Sequence, residues 1–311
     1  MAKLSIVIPV YYNSDTLDKV FADIEEKIIS QLENNDTYEI IFVDDGSGDN
    51  SFSVMKEIAK KDSNVKIIRL SKNFGSHAAS LCGILNATGD CVATKAADLQ
   101  EPSELILKMF YAWKEGNNVV LAVRENREDP SLFSSLYYWI TKKFALPTMP
   151  EGGFDQFLID RKVIEMLRRM DDPHVALTGK LLWMGYKTAE IGYVRVARES
   201  GKGRWTLKKK FALVGDTLFG YSNTPILAIA LIGAIFLILG LFIFMAMCIK
   251  GVDNISLLLP LMLFLAGCVM LSVGIVGEYV IRAYDSAKRL PPYIIEDGPM
   301  SYDESKHNNQ C

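Results

Sequence analysis

The chain has 311 residues, half of them hydrophobic, and a formal net charge of −3. That length holds one large catalytic domain or two modest ones, and the near-neutral balance gives no reason to expect nucleic acid as a partner. The apolar residues are unevenly spread: the first 200 residues hold no run like those after Pro225, which argues against both a purely soluble protein and a polytopic transporter.

In chain order, Met1-Ala2-Lys3 leads straight into the strand-like Leu4–Val10, so no signal peptide is expected. Further strands are expected at Tyr38–Asp44, Val65–Leu70, Asp90–Lys95 and Val119–Arg124. Between them, Asp15–Leu32, Asp49–Lys61, Ser76–Ala87 and Ser103–Glu115 read as helices, with Asp15, Asp49, Ser76 and Ser103 as N-caps. Strands alternating with helices of this length imply an α/β fold, a mostly parallel sheet covered on both faces. Such sheets bind ligands beyond the C-terminal ends of their strands.

Each strand end carries a polar cluster. Pro9-Val10-Tyr11-Tyr12-Asn13 follows the first, and Asp44-Asp45-Gly46-Ser47 closes the second. Lys72-Asn73-Phe74-Gly75 follows the third, and Ala96-Ala97-Asp98-Leu99-Gln100-Glu101-Pro102 the fourth. Adjacent carboxylates at Asp44 and Asp45 can accept hydrogen bonds from a nucleobase edge and ribose hydroxyls, while a tyrosine stacks on the base. Taken alone, the pair could equally serve helix capping and turn chemistry. Asp98 and Gln100 are oxygen donors suited to Mg²⁺ or Mn²⁺, ions that need few protein ligands when phosphates supply the rest.

Beyond Arg124 the pattern is irregular. Residues 132–146 (LFSSLYYWITKKFAL) and 207–221 (LKKKFALVGDTLFGY) mix aromatics with lysines, as suits helices lying at a lipid headgroup layer, although either could be an ordinary core helix. Gly152-Gly153 before Asp155 suggests a tight turn. No Asp, Glu, Lys or Arg occurs over 225–249 or 255–277. A helix over the first of these runs rises roughly 37 Å, enough for a hydrocarbon core of about 30 Å. Lys202, Arg204 and Lys208–Lys210 precede the first run, and Arg282, Lys288 and Arg289 follow the second. Cations at both exits place both termini in the cytosol. Gly233, Gly240, Gly267 and Gly274 would permit close helix contacts, including between copies in a homo-oligomer. The five cysteines lack metal-ligand spacing and fit a reducing compartment. From Pro291 onward the chain reads as a poorly ordered polar tail.

The ordered set Ile-Pro-Val-Tyr, Val-Asp-Asp-Gly-Ser, Lys-Asn-Phe-Gly and Ala-Asp-Leu-Gln-Glu-Pro resembles glycosyltransferase family 2. Joined to two C-terminal apolar runs, it resembles the polyprenyl-phosphate glycosyltransferases within it, from Leu4 to about Arg289. The resemblance implies a GT-A type catalytic domain over 1–205, a juxtamembrane helix over 206–222, two transmembrane helices within 223–282 and a cytosolic tail over 283–311. It implies that Pro9, Tyr11, Asp44, Asp45, Lys72, Gly75, Ala97 and Asp98 bind the nucleotide sugar. It also implies that Asp98 and Gln100 hold the cation and that Asp155 is the catalytic acid of a family segment matched by 152–161. The cationic loop Arg198–Trp205 matches a further family motif except at Gly203, so that Arg198, Lys202 and Arg204, with Arg124, would clamp the acceptor phosphate or the diphosphate. One departure stands out: Ala96 occupies the position where the family usually has Asp, and Lys95 precedes it.

The expected reaction is inverting transfer of a hexose, UDP-glucose being the first choice of donor, to a polyprenyl phosphate at the cytosolic face of the bilayer. GDP-mannose and UDP-N-acetylhexosamine are alternative donors. A non-catalytic nucleotide-sugar-binding membrane protein is the alternative class, and a processive synthase is disfavoured because Arg204-Trp205 is only a fragment of its Gln-x-x-Arg-Trp motif.

Overall fold

The computed structural model describes residues 1–33, 35–125, 139, 141–151, 153–170, 177–194, 222, 224–250 and 255–298. Parallel strands buried on both faces need apolar residues at successive positions, and the first two strands have them. β1 (Lys3–Val10) and β2 (Thr37–Asp44) carry Ile6-Val7-Ile8 and Ile40-Ile41-Phe42-Val43, all without solvent exposure. β3 (Val65–Leu70), β4 (Cys91–Thr94), β5 (Val119–Arg124), β6 (Phe154–Asp160), β7 (Thr188–Tyr193) and β8 (Ile295–Asp297) complete one sheet in the order β7-β5-β6-β4-β1-β2-β3-β8.

Apolar residues three and four apart give each helix one buried stripe. α1 (Leu17–Lys27), α2 (Ser51–Lys61) and α4 (Glu104–Lys114) bury theirs against one face of the sheet, in a core with Ile6, Ile8 and Phe42. α3 (Ser76–Asn86), α5 (Arg161–Arg169) and α6 (Leu177–Trp183) cover the other face around Val7, Ile41 and Val43. The α/β expectation holds, with β3 and β5 at their expected bounds.

Four details differ from the sequence reading. The first helix stops at Lys27, and a short 3-10 turn, Ile29–Gln31, follows. Ser103 holds the N-cap position expected of it, while the other three are Thr16, Asn50 and Gly75, and none of the four makes a side-chain capping bond. Ser103 instead donates to Asp23, and Asp49 accepts from the Ser51 N–H at 3.1 Å from one residue further out. The sheet is mostly parallel as expected, except that β6 runs antiparallel between β4 and β5 and β8 runs antiparallel beside β3. The tail does not leave the sheet at Pro291: Tyr293 is buried against α3 and Ile295–Asp297 pairs antiparallel with β3. The apolar alternation of Tyr293 and Ile295, masked by the two preceding prolines, lets this strand close the sheet edge.

Two long helices, α7 (Thr224–Lys250) and α8 (Ile255–Lys288), precede that strand. They lie side by side. Phe236 meets Phe264 edge-on at 4.9 Å between ring centroids, and Tyr279 Oη donates to the Ser222 carbonyl at 3.0 Å. Among the described residues, Gly267–Lys288 is long and apolar enough to cross a membrane, and Thr224–Phe236 is a shorter apolar stretch. A Cβ added at Gly233, Gly267 or Gly274 would meet open space among the described residues.

Candidate active site

The C-terminal ends of β1–β5 and the N-terminal end of β6 share one rim of the sheet. At its β1–β2 side, the Asp45 N–H donates to the Val10 carbonyl at 2.8 Å, zipping the two strand ends together. Tyr11 and Tyr12 follow, their rings edge-to-face at 4.7 Å, with Tyr12 in a left-handed conformation (φ 55°) and 45% exposed. Its N–H donates to Ser47 Oγ at 3.0 Å. An exposed aromatic beside this loop is a platform for a base.

Asp44 has no solvent exposure. One oxygen accepts from the Ser47 N–H at 3.1 Å, and the other faces Arg69 Nε at 3.5 Å without hydrogen-bond geometry. Burial pushes its pKa above the ordinary value, against the pull of Ser47 and Arg69. Asp45 accepts from the Phe74 N–H at 2.7 Å and the Gly75 N–H at 2.9 Å. As placed, it therefore holds the β3 loop onto the β2 loop. Gly46 makes that contact feasible: at φ 68°, any Cβ would sit 2.6 Å from the Lys72 carbonyl carbon. Lys72 is exposed, its ammonium 5.0 Å from the Phe74 ring, at the mouth of this corner.

The turn after β4 carries Ala97, whose carbonyl accepts from Thr16 Oγ1 at 2.8 Å, and the half-buried Asp98, which accepts from the Gln100 N–H at 3.3 Å. Leu99 between them has φ 56°, an uncommon conformation for a branched side chain and a sign of a locally constrained turn. β6 is the strand beside β4, with Ala93 opposite Leu158. On its other side the register with β5 shifts between Gln156 and Phe154, so Asp155 is the extra residue of a bulge. Arg124 ends β5 on the same rim. Arg198, Lys202 and Arg204 lie outside the described residues.

A divalent cation would find a lean donor set here. Asp98 and Gln100 offer oxygens two residues apart, Ala96 offers none, and the described residues include no group of three or more His, Cys, Asp or Glu placed to hold a metal. Phosphate oxygens can complete such a set, so the residues fit an ion brought with a diphosphate.

Sequence reasoning missed what lies beneath this turn. Lys95 is 1% exposed and donates from Nζ to the Glu101 carbonyl at 3.1 Å. The Glu101 carboxylate accepts from Gln156 Nε2 at 2.7 Å, and both residues are buried. Burial pulls the Lys95 pKa down, while Glu101, Asp23 and Asp98 push it back up. A lysine at a strand end reads as surface. Only its neighbours in space, drawn from α1 and the turn, reveal otherwise.

The chain matches the family described as Glycosyl transferase family 2 over residues 5–165. It belongs to that family. Among its relatives, an uncharacterized glycosyltransferase of Bacillus subtilis (strain 168), YkcC, is 33% identical over 94% of this chain and 93% of its own length. A prophage bactoprenol glucosyl transferase homolog of Escherichia coli (strain K12) is 30% identical over 94% of this chain and 98% of its own. The fold is like that of mannosyl-3-phosphoglycerate synthase from Rubrobacter xylanophilus, with a TM-score of 0.52 at 15% identity, over 69% of this chain and 71% of that one. The chain is thus a glycosyltransferase with a GT-A-like sheet flanked by helices. The family match spans every rim cluster from Tyr11 to Asp155.

Proposed function

We propose that this glycosyltransferase moves a hexose from a nucleotide sugar, UDP-glucose first among donors, to a polyprenyl phosphate at the cytosolic face of a membrane, inverting the anomeric centre. The observation that carries the reading is the extent of the match to the bactoprenol glucosyl transferase homolog, which reaches past the sheet and through the paired helices. In this reading α7 and α8 are a two-span hairpin, and the cations Arg282, Lys288 and Arg289 mark its cytosolic exit. Trp139 and Phe144 support an interfacial position for 132–146: both rings are exposed, Lys143 lies over them at 4.8 and 5.5 Å, and the Phe144 carbonyl accepts from Thr224 Oγ1 at 3.4 Å where α7 begins. Residues 132–138, 140 and 207–221, the rest of these amphipathic segments, lie outside the described residues.

The division of labour follows from acceptor chemistry. A phosphate monoester, with a second pKa of about 6, is already a dianion near neutral pH. A strong general base is unnecessary. The residues must instead screen two anions from each other, align attack on the anomeric carbon and stabilise the departing diphosphate. Pro9, Tyr11, Asp44, Asp45, Lys72 and Gly75 form the nucleoside corner. Ala97 and Asp98 meet the diphosphate and sugar, and Asp155 orients the acceptor or stabilises oxocarbenium-like charge. Arg124 and the cationic loop of Arg198, Lys202 and Arg204 bind the phosphates. Asp98 and Gln100 would hold Mg²⁺ or Mn²⁺, which supplies charge neutralisation to the leaving group when bound. A second copy against the outward-facing glycines of the hairpin would give a homo-oligomer.

A second reading, a nucleotide-sugar binder without turnover, draws on Ala96 alone. One experiment separates them: full-length protein in detergent with labelled UDP-glucose, UDP-N-acetylglucosamine or GDP-mannose, polyprenyl phosphate and Mg²⁺ or Mn²⁺. Label should enter the lipid phase with one of these donors; binding of donor with no lipid label overturns the enzymatic reading.

A further inference from the structure

The buried lysine beneath the cation turn has no role in the scheme above. Its surroundings are specific. Lys95 ends the run Cys91–Thr94 and its N–H continues the β1 pairing by donating to the Val7 carbonyl at 2.9 Å. The buried side chain reaches the Glu101 carbonyl, and the negative charges of Glu101, Asp23 and Asp98 favour its ammonium form. Asp23 is already engaged by Lys27 at 2.8 Å and by the Ser103 hydroxyl. Glu101 is held from the far side by Gln156, next to Asp155. Lys95 thus touches the last residue of the Asp98 turn, and that turn is tied in one step to the strand bearing the bulge.

Charge accounting at this spot is unusual for an ion site. Ala96 brings no carboxylate to this spot, and the Lys95 ammonium offsets part of the negative charge that Glu101, Asp23 and Asp98 place near it. A buried cation near a candidate metal ligand raises the energy of a second cation there, because the intervening medium screens weakly. It simultaneously favours an incoming diphosphate, for the same reason.

We propose that Lys95 is a positioning residue for the transfer reaction: its buried ammonium props the Asp98–Glu101 turn through the Glu101 carbonyl and sets the charge of that turn, so that a divalent cation joins only together with a nucleotide diphosphate. This rests on the proposed nucleotide-sugar function and names a residue-level control of its ion site.

The test uses the full-length protein in detergent and equilibrium dialysis of Mn²⁺ alone, Mn²⁺ with UDP and Mn²⁺ with GDP, with protein-free nucleotide controls. The unsubstituted protein should retain Mn²⁺ only when one nucleotide is present. Lys95→Met, close in length but uncharged, should bind Mn²⁺ without nucleotide at least about fivefold more tightly than the parent and bind the nucleotide more weakly. Lys95→Arg should restore the parent pattern. Damage to the fold would lower both affinities, so a gain for the free ion distinguishes a charge role from a structural one. Ala96→Asp, which leaves Lys95 in place, should also raise free-ion affinity. Equal free-ion affinities for the parent and Lys95→Met would overturn the inference. Failure to bind UDP or GDP under any condition would overturn the proposed function instead, and the free-ion comparison would still decide the role of Lys95.

Discussion

Gln156 Nε2 donates to Glu101 Oε2 at 2.7 Å, and this buried bond joins the strand that carries Asp155 to the turn that carries Asp98. Two candidate reacting-centre residues, 57 positions apart in sequence, are thereby linked through the neighbour of one and a residue three positions from the other. Gln156→Leu removes this donor from a buried carboxylate. Such a loss costs about 1–3 kcal/mol of stability, and small misplacement of reacting groups costs up to about a hundredfold in rate. The variant should lose at least about tenfold in kcat, with a smaller change in donor KM. Glu101→Gln, which keeps an acceptor oxygen, should stay within about threefold of the parent. Steady-state kinetics on the two variants checks the contrast.

Asp98 is the acidic oxygen donor of the turn after β4, and Ala96 provides no substitute. Asp98→Asn should reduce transfer by at least about a hundredfold while leaving the thermal transition in place, because the residue is half exposed and outside both buried cores. Label transfer and a melting curve on the same preparation are sufficient.

Gly46 lets the β2 and β3 loops touch. Gly46→Ala would combine a left-handed backbone with a Cβ 2.6 Å from the Lys72 carbonyl carbon. The strain amounts to about 1–3 kcal/mol. Relief requires the Lys72–Gly75 segment to withdraw from Asp45, so UDP affinity should fall as well as stability. Nucleotide titration alongside thermal unfolding measures both.

Glu39 predicts an acid limit to stability. It is 2% exposed and accepts from Lys66 Nζ at 2.7 Å, Ser5 Oγ at 2.6 Å and the Thr88 N–H at 2.6 Å. Burial alone would raise its pKa; the Lys66, Ser5 and Thr88 bonds outweigh it and bring the value from 4.5 down to about 2. A depressed carboxylate stabilises the fold fully above its unfolded pKa and loses that contribution as pH falls toward its folded one. Glu39 should thus contribute at most about 3 kcal/mol above pH 4.5, fading between there and about pH 2. Melting temperatures of the parent and Glu39→Gln should converge across that window.

Much of the sheet was legible because its central strands are apolar runs bounded by turn residues, as at Val65–Leu70 and Val119–Arg124. β6 was not. Its polar Gln156 and its bulge interrupt any regular pattern, and it reverses direction between β4 and β5. The rim clusters were visible in their order along the chain, but their bonding was not. Asp45 looked like two free acceptor oxygens, yet both receive backbone N–H groups from a loop about thirty residues away. The surroundings of Arg69 were equally hidden: it lies between Asp44 and Glu296 at 3.5 Å from each. Local pattern carries no record of such long-range pairing.

The central claim is that this rim presents an activated sugar to a phosphate held at the membrane. It is tested most directly by offering the full-length protein polyprenyl phosphate, the corresponding polyprenol without phosphate, and a soluble sugar acceptor, each with the same labelled nucleotide sugar and Mn²⁺. The expected product is a hexose joined to polyprenyl phosphate alone, identified by mass and lost with Asp98→Asn. Equal transfer to the polyprenol or to the soluble acceptor, or no lipid product with any donor, would contradict it.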